Sequence, residues 1–141
     1  KLVVEISEDP ALHDVLLDPD RMTQVMANLI SNAIKFTERG RITIRLELAL
    51  IARKKYVRLT VADTGIGIRP GDAPKVFDRF QQIERFDMHH EGWGLGMPIS
   101  KMLVERMGGE IRFASKPKHG TAFTVTLPLA GPEDEADQPT Y

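Results

Sequence analysis

Alternation of apolar and polar residues along short stretches of the chain predicts β-strands, because successive strand residues face opposite sides of a sheet. In the clearest stretch, Ile42, Ile44 and Leu46 alternate with polar residues, so one face is buried and the other is solvated. A basic turn at 52–55 follows and favours antiparallel pairing with the next strand. The predicted strands are 1–7, 41–50, 56–62, 110–115 and 121–127.

Two other segments repeat apolar residues every three to four positions, which predicts amphipathic helices. The first extends from Asp18-Pro19, a typical N-cap and first-turn pair, to about Phe36. The second extends from Leu95 to Met107 and is followed by two glycines. A short helix is predicted over 72–77. These elements predict an α+β fold: a two-layer α/β sandwich whose mixed, mostly antiparallel sheet of about five strands is covered on one face by about three helices.

The composition is that of a globular domain, with 42% hydrophobic and 28% charged residues among 141. We expect one domain over 1–129 and an acidic, disordered tail over 130–141. The tail holds four acids and no base. Without these four acids the chain has 19 basic and 16 acidic residues. The resulting net charge of +3 is too small to indicate nucleic-acid binding.

Two absences narrow the function classes further. The chain has no cysteine, which excludes disulfides, thiol nucleophiles and cysteine zinc sites. No apolar run approaches the roughly 20 residues needed to cross a bilayer. We therefore expect a cytoplasmic domain without direct membrane contact, although its parent protein can be membrane-anchored.

Asn28, Asn32 and Lys35 form a polar stripe on the first predicted helix, beside its apolar face. An amide oxygen can ligate Mg²⁺, and a lysine ammonium can contact phosphate oxygens as a point charge. A solvated helix face is the ordinary alternative. The spacing by itself leaves both interpretations open.

Two glycine-containing segments have the character of ligand-binding loops. Asp63 follows a predicted strand and precedes Gly65 and Gly67, which aims a carboxylate at a pocket and allows a ligand near the backbone. A capped turn is the alternative, and the spacing is neither that of a Walker loop nor that of a dinucleotide fingerprint. Gly92–Gly96 precedes the second helix, where free N–H groups and the helix dipole favour an anion. A flexible hinge is the alternative there.

Phe77 and Phe80 either pin a loop to the core or belong to a functional segment. The polar stretch 81–91 shows no period and is predicted to be a loop. His89-His90 within it lacks a third candidate ligand nearby, which argues against a metal site built on histidine.

Taken in order, these segments resemble the boxes of the catalytic and ATP-binding domain of sensor histidine kinases, in the group that also holds gyrase and MutL ATPases. The likeness covers about 2–129 and implies the Bergerat-type ATP-binding fold. The matching segments are the asparagine box at 28–37, the first glycine box at 63–67, the phenylalanine box at 77–80, the second glycine box at 92–96 and the last element before the closing strand at 120–123.

The resemblance implies a site for ATP and Mg²⁺ between the two long helices, under a lid formed by 81–91. By this likeness Asp63 accepts a hydrogen bond from the adenine amino group, and Asn32 ligates the Mg²⁺ that bridges the phosphates. Asn28 supports the same Mg²⁺ or a phosphate. The implied catalytic residues are Asn28, Asn32 and Lys35. The implied ATP-binding residues are Asn32, Lys35, Phe36, Asp63, Gly65, Gly67, Ile68, Phe80, Gly92, Gly94, Leu95, Gly96 and Thr121.

The likeness gives the glycines two roles. Gly67 lets the base approach, and Gly94 and Gly96 free backbone donors for the phosphates. Trp93 departs from the family's pattern, which usually has a small or hydroxyl residue at this position. Its bulky indole can cover the nucleotide or hinder closure of the lid.

The implied reaction is transfer of the ATP γ-phosphoryl group to a histidine in two-component signal transduction, where catalysis is mostly positioning and charge stabilisation. The group's ATPases have a Glu at the position of Asn28, and an amide cannot take a proton from water at neutral pH. Asn28 therefore favours a kinase. The alternatives are a regulatory or pseudokinase module without phosphotransfer, which Trp93 alone supports, and a serine kinase of the anti-sigma-factor type, which the phenylalanine box disfavours.

The family's acceptor histidine lies in a helical hairpin that precedes this domain, and residues 1–17 do not match such a hairpin. His13-Asp14 is interpreted as a surface loop. We therefore expect an ATP-binding part of a longer protein that does not autophosphorylate by itself. The expected partners are the histidine-bearing dimerisation domain of the same parent and a response regulator receiver domain.

Overall fold

A computed structural model of the chain, which describes residues 2–8, 19–78 and 93–129, contains one five-stranded sheet with the order β1-β2-β3-β5-β4. β1 pairs with β2 in parallel, and every other pair is antiparallel. The five predicted strands are confirmed, and four of them are longer than predicted. The strands are β1 (Leu2–Glu8), β2 (Gly40–Ile51), β3 (Lys54–Asp63), β4 (Glu110–Lys116) and β5 (Gly120–Pro128).

The turn between β2 and β3 is tighter than the predicted span of 52–55. Ile51 pairs with Lys54, so only Ala52 and Arg53 form the loop. Both residues have left-handed φ angles, 50° and 70°, as a two-residue type I′ turn requires. The sequence has neither Asn-Gly nor Asp-Gly here, the pairs that usually mark such a turn.

Two α-helices and one 3₁₀ helix accompany the sheet: α1 (Pro19–Phe36), α2 (Trp93–Arg106) and the 3₁₀ helix (Pro70–Lys75). The start of α1 and its end at Phe36 agree with the prediction. α2 begins at Trp93, two residues before the predicted Leu95, so Gly94 and Gly96 lie inside the helix and not before it. Glycine is unfavourable in helix interiors and so suggested a later start. The first turn tolerates it because its N–H groups have no intrahelical partners.

The short helix predicted over 72–77 is a 3₁₀ helix that starts earlier, at Pro70. Asp72 N donates to Arg69 O at 2.9 Å, and Val76 N donates to Ala73 O at 3.4 Å, both in the i→i+3 pattern. Pro74 lies inside this helix and has no N–H to continue an α-helical ladder. The predicted short helix is therefore confirmed as an element, but its bounds are Pro70–Lys75 and not 72–77.

The core lies between the helices and one face of the sheet. The face of α1 predicted to be apolar is buried, with Met26 only partly so, and Val104 and Met97 of α2 are buried although they were not predicted. Phe77 packs edge-on against Phe113 and Phe123, with ring centroids 5.8 and 6.4 Å away. This is the packing role that one interpretation of Phe77 predicted. The two-layer α+β fold is confirmed.

The other face of the sheet carries polar and small side chains and is not covered by the described helices. A cavity of about 630 Å³ lies there, lined by residues of β2 to β5 that include Arg58, Arg112 and Thr124. It contains none of the predicted site residues. Within the described ranges, no helix is long and apolar enough to span a membrane. The predicted loop 81–91 and tail 130–141 lie outside the described residues.

Candidate functional site

Asp63 is the last residue of β3, and two backbone N–H groups hold its carboxyl. Asp63 Oδ1 accepts hydrogen bonds from Gly65 N at 2.9 Å and from Thr121 N at 3.2 Å. The second bond joins the end of β3 to the start of its antiparallel neighbour β5. Because both bonds use the same oxygen, the carboxyl has a fixed orientation and the acceptor capacity of Oδ2 is left for a ligand.

Burial raises the pKa of Asp63, because a carboxylate loses hydration in the protein interior. The N–H groups of Gly65 and Thr121 oppose this rise, since they donate to the charged form. The Thr37 hydroxyl is near enough to oppose this rise as well, although it is buried and no hydrogen-bond partner within 3.5 Å is found for it among the described residues. A half-buried carboxylate that keeps acceptor capacity on its second oxygen is the chemistry expected of a group that recognises a ligand.

The loop that follows Asp63 packs directly on the end of α1. Ile66 N donates to Phe36 O at 3.2 Å. A Cβ on Gly65 would lie 2.0 Å from that same carbonyl oxygen, so a larger residue would displace the loop. The Phe36 side chain is 9% exposed and belongs to the core. Gly65 therefore allows Asp63 and α1 to contribute to one site.

Gly67 has a left-handed φ of 71°, and a Cβ there would lie 2.2 Å from Lys116 O. That carbonyl belongs to the β4–β5 hairpin, in which Lys118 N donates to Ile66 O at 2.7 Å. The packing of the chain itself therefore requires glycine at this position. The resemblance had given Gly67 a different role, that of admitting the base.

A pair of hydroxyls joins Thr121 to two further segments. Ser115 donates its one hydroxyl proton to Gly120 O at 3.0 Å. Ser115 Oγ therefore accepts from the Thr121 hydroxyl and from Ile68 N, both at 2.7 Å. Thr121 thus holds Asp63 through its backbone and the adjacent hairpin through its side chain. Both Thr121 and Ile68 are buried.

Asn32 lies on α1 one turn before Phe36 and is only 8% exposed. Its Oδ1 is buried and has no hydrogen-bond partner among the residues that the structure describes. A buried amide oxygen without a partner is costly and uncommon in folded proteins. Amide oxygens are among the ligands that Mg²⁺ accepts, so a bound magnesium ion would satisfy this atom. The residues present fit that ion.

Asn28 lies one turn earlier and joins α1 to α2. Its Nδ2 donates to Gly96 O at 3.3 Å and to Ser100 Oγ at 3.1 Å. Ser100 is fully buried, and its hydroxyl donates to Gly96 O at 2.8 Å. A Cβ on Gly96 would make only ordinary contact with Asn28. Asn28 and Gly96 of the second glycine box are therefore joined both directly and through Ser100.

The structure places the remaining predicted residues as follows. Lys35 is exposed in the last turn of α1. Gly94 and Leu95 belong to the first turn of α2, and nothing further is described for them. Phe80 and Gly92 lie outside the described residues.

Two groups of predicted residues therefore meet along α1. Asp63, Gly65 and Phe36 form the junction with the β3 loop, and Asn28 and Gly96 form the junction with α2. Asn32 lies on α1 between the two junctions. A site that extends from Asp63 along α1 to α2 has an acceptor at one end and amide oxygens at the other.

Sequence reasoning missed Ser100 and Ser115. Both carried a usable signal, because each is a small polar residue at an inward-facing position. Ser100 follows Gly96 by one helical turn, and Ser115 continues the inward series of Ile111 and Phe113 on β4. The same spacing argument that selected Asn28 would have found Ser100.

A cavity of about 340 Å³ adjoins the acceptor end of the site, lined by residues that include Asp63, Ser115, His119 and Thr121. Within the described residues, no group of three or more His, Cys, Asp or Glu side chains could hold a metal ion. A metal at Asn32 would therefore need oxygens from a ligand, as Mg²⁺ commonly takes from phosphates.

A family model described as histidine kinase-, DNA gyrase B- and HSP90-like ATPase matches residues 17–131. The chain belongs to this family. Within it, the chain is an ATP-binding catalytic domain of the kind found in sensor histidine kinases. The resemblance drawn from the sequence motifs is thereby confirmed.

Parts of known sensor kinases are similar to this chain. The signal transduction histidine-protein kinase BarA of Escherichia coli K12 is 43% identical over 118 residues, which cover 82% of this chain and 13% of BarA. The structure of full-length ShkA in complex with AMPPNP has a TM-score of 0.77 at 30% identity, covering 91% of this chain and 26% of that one. The mycobacterial sensor histidine kinase MprB has a TM-score of 0.71 at 30% identity, covering 91% and 82%.

Proposed function

We propose that this domain binds ATP together with Mg²⁺ and supplies the γ-phosphoryl group to a histidine on a separate dimerisation domain. The observation that carries the proposal is the buried Oδ1 of Asn32, which has no hydrogen-bond partner among the described residues and lies on the helix that also carries Asn28. Family membership supports the ATP site, and the fit of Asn32 to a hard cation supports the metal.

In the proposed complex the adenine amino group donates to Asp63, whose orientation the Gly65 and Thr121 N–H groups fix. Asn32 and Asn28 would hold the metal ion with oxygen ligands, and Lys35 would contact phosphate oxygens. When bound, Mg²⁺ offsets the negative charge that the phosphates carry. The backbone of Gly94 and Gly96, in the first turn of α2, would offer N–H donors to the same phosphates.

In the transfer, an imidazole nitrogen of the acceptor histidine forms a bond to the γ-phosphorus as the bond from that phosphorus to the β–γ bridging oxygen breaks, and ADP leaves. Asn28 occupies the position from which a carboxylate would take a proton from water. An amide offers no such base, so hydrolysis is not assisted. This supports a kinase over an ATPase.

The chain spans 13% of BarA, and the activity of a whole sensor kinase is therefore part of the proposal. We propose that residues 1–129 act as the catalytic unit, in the cytoplasm, on a histidine of the parent protein. A response regulator receiver domain would take the phosphoryl group from that histidine.

The decisive experiment supplies a histidine-bearing hairpin from a related sensor kinase and γ-labelled ATP. We expect label on the hairpin that acid removes, because phosphohistidine is acid-labile. Nucleotide binding without transfer to hairpins from several relatives would favour the regulatory module instead. Acid-stable label on serine or threonine would favour the anti-sigma-type kinase.

The substitution Asp63→Asn should shift base preference from ATP towards GTP. The N–H groups of Gly65 and Thr121 would keep the amide oxygen at the Oδ1 position, so the NH₂ group must take the place of Oδ2. A donor at this position cannot accept a hydrogen bond from the adenine amino group, but it can donate one to the guanine carbonyl. We expect ATP affinity to fall about tenfold or more, since a hydrogen bond to a charged group contributes about 1.5–3 kcal/mol. Competition between ATP and GTP in a calorimetric titration measures the base preference. An unchanged preference would show that Asp63 does not contact the base.

The same variant has a pH signature without ligand. The pKa of Asp63 is raised above its ordinary value of 3.8, so the folded state holds its proton more tightly than the unfolded chain. Its contribution to stability is therefore complete below pH 3.8 and is lost as pH rises through the raised pKa. We expect Asp63→Asn to have the higher Tm at pH 7 and this advantage to shrink as the pH falls. An advantage that grew on acidification would show that the charged form is the preferred one in the fold.

A further inference from the structure

The buried hydroxyl of Ser100 has a role that neither the family motifs nor the proposed reaction requires. We infer that Ser100 is a positioning residue that sets the orientation of the Asn28 amide, so that its Oδ1 and not its Nδ2 is available to the metal ion. This inference rests on the proposed function. It adds a specific residue of α2 to the metal end of the site.

Gly96 O can only accept, and the hydroxyl of Ser100 donates its one proton to that carbonyl at 2.8 Å. The Ser100 oxygen is then left as an acceptor towards Asn28, 3.1 Å away. Both groups that α2 presents to Asn28 are therefore acceptors.

An asparagine amide has one donating and one accepting end, and the two can exchange by rotation of the side chain. Two acceptors on α2 select the orientation in which Nδ2 points to α2. Oδ1 is thereby left as the end that can meet a cation. The reversed amide would place an oxygen against two oxygens and an NH₂ group towards the metal.

Ser100 contributes the larger part of this selection. The Gly96 bond is long, at 3.3 Å, whereas the Ser100 bond is 3.1 Å and comes from a side chain with no exposed surface. Ser100 is also held by its own bond to Gly96, one helical turn away, so its oxygen cannot rotate freely to another partner. Without the hydroxyl, Asn28 keeps only the longer contact.

The test is the substitution Ser100→Ala, with ATP titrated in the presence and absence of Mg²⁺. The measured quantity is the Mg²⁺ enhancement, which is the Kd for ATP without the ion divided by the Kd with it. We expect the enhancement to fall about threefold to tenfold, the size of one net hydrogen bond, while metal-free binding changes less than about twofold. Ser100→Cys, nearly the same shape but a weaker acceptor, should give an intermediate loss and serves if Ser100→Ala does not fold.

Val104→Ala is the matched control. Val104 lies one turn further along α2 and is fully buried, and its side chain has no polar atom. Loss of the two Val104 methyl groups loosens the packing of α2 and leaves the hydrogen bonds of the Asn28 amide in place. An equal fall in enhancement in Val104→Ala would show a packing effect and overturn the inference, as would an unchanged enhancement in the serine variants. If the unsubstituted protein showed no Mg²⁺ enhancement, the proposed function would fail before Ser100 was tested.

Discussion

Replacing Asn32 by alanine is expected to weaken Mg²⁺-dependent ATP binding about tenfold to a hundredfold, since a hydrogen-bonding group facing charge contributes about 1.5–3 kcal/mol and each 1.4 kcal/mol is tenfold. The fold should hardly change. Asn32 Oδ1 is buried without a hydrogen-bond partner among the described residues. The substitution removes this unsatisfied oxygen, and the stability gained in this way offsets the packing lost with the side chain. Titration of ATP with and without Mg²⁺ measures the binding, and a thermal melt without ligand measures the fold.

The matched control is Ser31→Ala, which changes the adjacent residue on the exposed side of α1. It should bind ATP and Mg²⁺ as the unsubstituted protein does. A fall of several degrees in the ligand-free Tm of Asn32→Ala, with little change in Mg²⁺ dependence, would make Asn32 a structural residue. Equal losses with and without Mg²⁺ would assign it to the nucleotide and not to the ion.

Replacing Gly120 by alanine is expected to be the most destabilising single methyl addition among the described glycines. Gly120 has a left-handed φ of 107°, and a Cβ there would lie 1.9 Å from the backbone oxygen of Asp63. The nearest atoms, which belong to Asp63 and Thr64, are all backbone atoms, so none of them can rotate aside. Backbone strain of about 1–3 kcal/mol and overpacking of a similar size predict a loss of about 3–5 kcal/mol in the free energy of unfolding.

This loss should also disturb the nucleotide site, because Thr121 N, the next donor along the chain, holds Asp63. Urea unfolding measures the stability, and ATP titration at low temperature measures the site. Gly71→Ala is the control, since Gly71 has no atom within 4 Å of an added Cβ and no left-handed φ. It should be close to neutral. A Gly120→Ala protein as stable as Gly71→Ala would mean that β3 and β5 can separate at this end without cost.

Much of the architecture could be predicted from local patterns. The alternation in β2 and the apolar face of α1 depend on neighbours in the sequence, and burial on one side of a strand or helix leaves a direct trace there. The predicted helix bounds were wrong where the backbone properties of proline or glycine matter more than the pattern of apolar residues. The short helix predicted over 72–77 contains Pro74 and is a 3₁₀ helix that starts at Pro70, and glycines early in α2 obscured its true start.

Some residues of the candidate site could likewise be predicted from the sequence, and others could not. Asn28, Asn32 and Asp63 could be selected from spacing, because each lies on an element whose geometry is regular. Their partners could not, since Ser100 is 72 positions from Asn28 and Thr121 is 58 positions from Asp63. Contacts over such separations are set by how the elements pack.

The sequence by itself determined the order of the elements, the class of fold and the residue types available for a nucleotide, because these follow from periodicity and from motifs that are local in the chain. Only the tertiary structure decided which atoms of those residues remain free. The pairing of β3 with β5 brings Thr121 N to Asp63 Oδ1, which also accepts from the local Gly65 N, and the contact of α1 with α2 occupies Asn28 Nδ2 with Gly96 O and Ser100 Oγ. The oxygens left over define what the site can bind, since hydrogen-bonding capacity is allotted only when the elements meet.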